Sequence, residues 1–177
     1  MDYKSDKKIL KSHNCNGSFN EKLIISATNY ARETIGITKS LWVFINNCIM
    51  FKSIDHSGMY DKENFLIRYN RDWLKNADHK QIIKCAFHEV FHVVQHDALN
   101  NWKSGNVSLI FSDEELRQIE IEFNDYNYSD SIHKWNSYFI EQQAECFAEI
   151  LYKRFQAEKI KLRDLVTRYY NKYLNEN

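Results

Sequence analysis

Apolar positions along this chain recur mainly at intervals of three and four, the period of amphipathic helices, with one interruption near the middle. At Ser18 the run S-F-N-E sets Glu21 three residues after a hydroxyl, a capping-box pattern. Leu23, Ile24, Ala27, Tyr30, Ala31 and Ile35 follow at helical spacing and Gly36 suits a helix stop, so a helix is expected over 19–35. The period then changes. Residues 41–51 (LWVFINNCIMF) are rich in β-branched and aromatic side chains around Asn46 and Asn47, and predict one long strand or two short ones about a turn. Residues 57–64 (SGMYDKEN) carry turn chemistry, and 65–70 (FLIRYN) predict another strand.

Helical spacing returns at Asp78, where D-H-K-Q is a second capping box. Apolar residues from Ile82 to Val94 cover much of the circumference, so this helix should be deeply buried. S-D-E-E at 112–115 opens a helix to about 123, and 124–137 reads as a loop. A strong helix is expected over 139–157 and a last amphipathic one over 161–174.

At 177 residues, one domain with a real core is the economical reading: a loose segment over 1–17, then a single domain over 18–177. Lys+Arg and Asp+Glu both number 24, which argues against a broad basic field for nucleic acid or an anionic membrane. Lys159, Lys161, Arg163, Arg168 and Lys172 do cluster near the end, but Glu158 and Asp164 interleave them, as on a solvated amphipathic face. No run approaches the roughly 20 apolar residues of a membrane span, and the charged first residues lack the apolar run of a secretory leader. Cys15, Cys48, Cys85 and Cys146 are scattered, without a C-x-x-C, and read as reduced thiols. A cytoplasmic location is therefore expected.

The buried helix carries the chemistry. In "CAFHEVFHVVQHDAL", His88, Glu89 and His92 form H-E-x-x-H. Residues four apart share a helix face, so both imidazoles can aim at one zinc ion, while Glu89 can reach a zinc-activated water without being a ligand. An extended motif would need Gly and His at positions that hold Gln95 and Ala98. The third ligand must come from elsewhere. On "IEQQAECFAEIL", Glu141 could complete the coordination and Glu145, one turn on, could accept the free N–H of a ligand histidine. His133 is the alternative ligand, or a transition-state donor. His96 extends the stripe by a turn, too far to wrap the same ion. Tyr138, Tyr126 and Tyr128 are further donor candidates, and together with Trp135 and Phe139 they could line a cleft or pack as core.

"HEVFH" followed by "EQQAECFAEIL" resembles the gluzincin metallopeptidases, and is particularly similar to the small ImmA/IrrE-like and minigluzincin-type members. Glu141, Ala144, Phe147 and Ala148 match their E-x-x-A-x-x-F-A helix in register. The resemblance implies an α+β, mostly helical zincin-like domain with a small mixed sheet beside the H-E-x-x-H helix. It implies one zinc held by His88, His92 and Glu141, Glu89 as general base, and a peptide substrate along an edge strand, with "FLIRYN" in the place of that strand. The separation of His92 from Glu141 is longer than in the compact members, because the helix at 113–123 intervenes. The expected activity is zinc-dependent hydrolysis of peptide bonds in a specific protein substrate, with room for a cognate regulator or inhibitor. The competing expectation is a zinc-stabilised regulatory or partner-binding domain without turnover.

Overall fold

The computed structural model describes residues 17–51, 54–125 and 137–172. The expected loose segment therefore lies outside the described residues, apart from Gly17. The fold is α+β and mostly helical, with one small mixed sheet.

Helix α1 (Phe19–Ile35) starts and stops where the sequence indicates. Ser18 and Glu21 close a reciprocal capping box, and Gly36 ends the helix at φ 76°, a left-handed geometry that costs glycine little. Nine consecutive residues, Leu23 to Ala31, are buried, so α1 is a central helix covered on all sides. Its buried hydroxyls are satisfied: Ser26 donates to the Lys22 carbonyl, and Thr28 bonds both the Ile24 carbonyl and the Tyr69 hydroxyl.

Three strands follow: β1 (Trp42–Asn46), β2 (Gly58–Asp61) and β3 (Leu66–Asn70). The run 41–51 is one strand and a 3₁₀ turn over Cys48–Met50. Two expectations are corrected. Part of the segment 57–64 is strand β2, because Met59 and Tyr60 pair across to Arg68 and Ile67 and alternate in burial despite the turn-forming residues around them. And "FLIRYN" is not an edge: β3 lies in the centre, parallel to β1 and antiparallel to β2, in the order β1-β3-β2. The strand at the sheet's edge beside the motif helix is β2.

Short helix α2 (Arg71–Leu74) leads to α3 (His79–Lys103), the motif helix, capped by Asp78 and Gln81 as the sequence predicts. Then come α4 (Asp113–Asp125), opened by the Ser112–Glu115 box, and α5 (Phe139–Ala157). The last helix begins as α6 (Leu162–Leu165) and widens into a π-helical turn over Val166–Tyr170, a local departure from the expected regular helix.

The main core joins α1, the sheet, the first half of α3 and the end of α5 around Leu23, Ile67, Tyr69 and Phe87. A second cluster, with Leu99, Leu116, Ile119 and Ile140, ties the second half of α3 to α4 and the start of α5. Ala144 and Ala148 are wholly buried, and the Phe91 and Phe147 rings stack at 4.5 Å, so α3 and α5 approach closely. Among the described residues, no helix is long and apolar enough to cross a membrane. Cys48, Cys85 and Cys146 are unpaired.

Candidate metal centre

The α3–α5 contact brings the three expected ligands together. His88 and His92, one turn apart, place their Nε2 atoms 3.0 Å from each other. Glu141, in the first turn of α5, sets Oε2 3.0 Å from His88 Nε2 and Oε1 3.4 Å from His92 Nε2. Ligand atoms about 2.0–2.1 Å from a tetrahedral zinc stand roughly 3.3 Å from one another, so these three atoms are spaced like one face of such a site. They could hold a metal ion.

Glu141 is positioned from a distance. The N-cap of α5, Tyr138, makes no side-chain capping bond. A buried carboxylate from α4 substitutes: Glu122 accepts from the Ile140 N–H at 2.9 Å and is itself held by Gln118. Helix α4 thereby fixes the turn that carries the third candidate ligand.

The donor set calls for a cation. His92 Nδ1 lies 2.8 Å from Gln95 Oε1. The Gln95 amide nitrogen donates to the Ile140 carbonyl at 3.1 Å and to Gln143 Oε1 at 3.0 Å. A carbonyl can only accept, so the amide is oriented and its oxygen is left to accept from His92 Nδ1–H. His92 Nε2 is then a bare lone pair, facing a second imidazole nitrogen and a carboxylate. Three acceptors converge unless a proton or a metal ion lies among them. With no ion, a proton on His88 serves: burial pulls this imidazole down, but the Glu141 and Glu145 carboxylates outweigh it and lift it to about 10. Burial likewise pushes the Glu141 carboxyl up, and the two imidazoles drive it far below the usual range.

Glu145 stands on the outer side of His88, with Oε2 3.7 Å from Nδ1, an ion-pair distance longer than a hydrogen bond. The His88 imidazole, with Lys84 beside it, holds the Glu145 carboxyl down at about 2. Lys84 Nζ reaches Glu145 at 2.6 Å and Glu149 at 3.1 Å.

Glu89 contributes no atom to the ligand cluster. It is buried against β2 at Gly58, where a Cβ would stand 3.0 Å from both Glu89 Oε1 and Tyr69 Cδ1. A side chain at 58 would press on the carboxylate and the Tyr69 ring, which would have to give way. Burial raises the Glu89 carboxyl, and the His88 and His92 imidazoles oppose the rise. His88, Glu89, His92 and Glu141 line a cleft of about 580 Å³ that runs along α3 between β2 and α5.

Among the described residues, none of the remaining sequence candidates joins this cluster. His133, with Tyr126, Tyr128 and Trp135, lies outside the described residues. Tyr138 and Phe139 pack against the second core cluster, apart from the side chains that line the cleft. His96 is engaged by the Tyr60 hydroxyl at 2.8 Å and by Asn100 at 3.0 Å, away from the ligands. Sequence reasoning missed Gln95, Glu122 and Gly58. Gln95 and Glu122 could have been flagged as polar residues on buried faces, a costly placement without partners. Gly58 gave no signal beyond its turn-like neighbours. Compared with family models, curated proteins and solved structures, the chain matches none.

Proposed function

We propose that this protein is a zinc-dependent metallopeptidase of gluzincin type, hydrolysing peptide bonds of a protein substrate. The observation that carries the reading is the separation of roles around one point: three candidate ligand atoms converge, and a second buried acid, Glu89, stands beside them without joining. Two imidazoles and one carboxylate suit zinc among the common metals, and three protein ligands leave a position open, as catalytic sites require. The motif resemblance points the same way.

When bound, the ion supplies Lewis acidity, which makes water a nucleophile near neutral pH and polarises a carbonyl. The chain's own residues do the rest. His88, His92 and Glu141 hold the ion. Gln95 keeps His92 in the tautomer that binds metal. Glu89 accepts the proton of the attacking water at its carboxylate and returns it to the leaving amine. Its burial suits this, because a raised carboxyl is a better proton acceptor than an exposed one. The cleft beside β2 is the place for the peptide.

Elemental analysis of the purified chain tests the centre. One zinc per chain is expected, retained in Glu89→Gln and lost in Glu141→Ala. Incubation of zinc-loaded protein with peptides then separates enzyme from binding module. Glu89→Gln should abolish cleavage while keeping the ion. Equal cleavage by the variant and the wild type would remove Glu89 from the mechanism. Zinc without cleavage of any peptide would make the chain a metal-stabilised binding domain.

A further inference from the structure

We infer, on the basis of the peptidase reading, that the cleft takes peptides by one end, so that cleavage falls within a few residues of a chain terminus. The reason is that, among the described residues, a contact between Lys62 and Phe123 crosses one end of the cleft. Along α3 the lining runs from Gln81 to His92 and stops there. One turn further, His96 is half-buried. Tyr60 from β2 bonds its Nδ1, and the rings of Phe65 and Phe123 stand 6.0 Å from its own. Above this cluster, Lys62 in the β2–β3 turn donates from Nζ to the Phe123 carbonyl at 2.8 Å. That bond ties the hairpin to the last turns of α4. Lys62 and Phe123 both line the cleft, so their bond forms its end wall.

The wall stands close to the ligands. The Phe123 ring lies 6.5 Å from that of His92, and Lys62 Nζ lies 5.9 Å from the Phe123 ring. The wall is therefore within about 12 Å of the metal ligands, the reach of three to four extended residues at roughly 3.3 Å each. Gly58, which abuts Glu89, is four residues before Lys62 on the same hairpin, which gives a similar span. In the other direction the lining passes to Lys84 and Gln81 at the start of α3 and to Trp73 on α2. A long chain can leave the cleft that way. It cannot continue past Lys62 and Phe123.

The test uses the zinc-loaded full chain and a pool of linear peptides from a tryptic digest of denatured proteins, with products mapped by mass spectrometry. The same chain is given backbone-cyclised peptides. New termini should fall within about four residues of one and the same end of the parent peptides, and lengthening that end should stop cleavage. Cyclised peptides should be left intact. Lys62→Ala, which removes the bond across the wall, should shift cuts inward, with an unchanged melting temperature showing that the fold is kept. Cuts spread evenly along long parents, or opened rings, would overturn the inference and leave the peptidase reading standing. Absence of any product, with zinc bound, would overturn both.

Discussion

The two candidate ligand imidazoles are indistinguishable in the sequence, yet opposite means hold them. His92 leans on Gln95, a neutral and wholly buried amide, oriented by a carbonyl of α5. His88 faces Glu145, a carboxylate whose side chain is 62% exposed and which is shared with Lys84. A buried neutral partner fixes geometry and cannot be screened. An exposed charged partner mainly tunes how tightly the imidazole holds a proton. One side of the centre is therefore built for position and the other for proton affinity.

The largest effect should come from the buried side. Gln95→Leu leaves His92 Nδ1–H without its acceptor in a dry interior and frees the ring to turn. Loss of such a supporting partner typically lowers metal affinity by about 10–100-fold. Competition with a chromophoric chelator would measure it, with circular dichroism confirming the fold. An affinity within about twofold of wild type would break the comparison, since a deleted buried partner should cost far more than that.

Much of this site was legible in the sequence, and the part that was not has a common cause. The placement of His88 and His92 follows from the helical period, and the caps at Ser18, Asp78 and Ser112 are local patterns of four residues. Glu141 could be proposed because its helix matches the E-x-x-A-x-x-F-A pattern, and the Ala144 and Ala148 of that pattern are wholly buried. What stayed hidden depends on pairing between distant segments. The role of Gln95 exists only because the Ile140 carbonyl, 45 residues on, fixes its amide. That β3 is central rather than an edge is a matter of strand order, which no local pattern encodes. Gly58 reads as a turn residue until Glu89 and Tyr69 are seen against it.

A smaller effect, of a different kind, is expected on the His88 side. With no ion the carboxylates hold His88 protonated up to about pH 10, so a metal must displace that proton. Apparent affinity should therefore rise with pH, by about tenfold per unit, and level off as the pH passes the imidazole's own value. Glu145→Gln removes one of the carboxylates that raise His88. The plateau should then be reached at a lower pH. At neutral pH the net change should be only about a few-fold, because weaker proton competition offsets a less basic ligand. Isothermal titration in buffers of different ionisation heat reads the proton released. An unaltered pH profile would deny Glu145 any part in tuning His88.

The smallest effect should be at Lys84, one step further from the ion. It touches no ligand and acts only by holding Glu145 in place, through a pair whose carboxylate partner is largely exposed. Exposed pairs of this type are worth about 0–1 kcal/mol. Lys84→Met should accordingly change metal affinity by less than about fivefold and lose even that difference in molar salt, where the wild-type pair is screened. The pair's contribution to stability has a definite sign. The carboxylates raise the Lys84 ammonium above its ordinary value of 10.5, so its contribution is fully present below that pH and fades as the pH climbs through the raised value. Melting curves of wild type and variant should thus converge in strong alkali and in high salt. A difference that persists under both conditions would mean that the charge of Lys84 is not what the substitution removes from the α3–α5 contact.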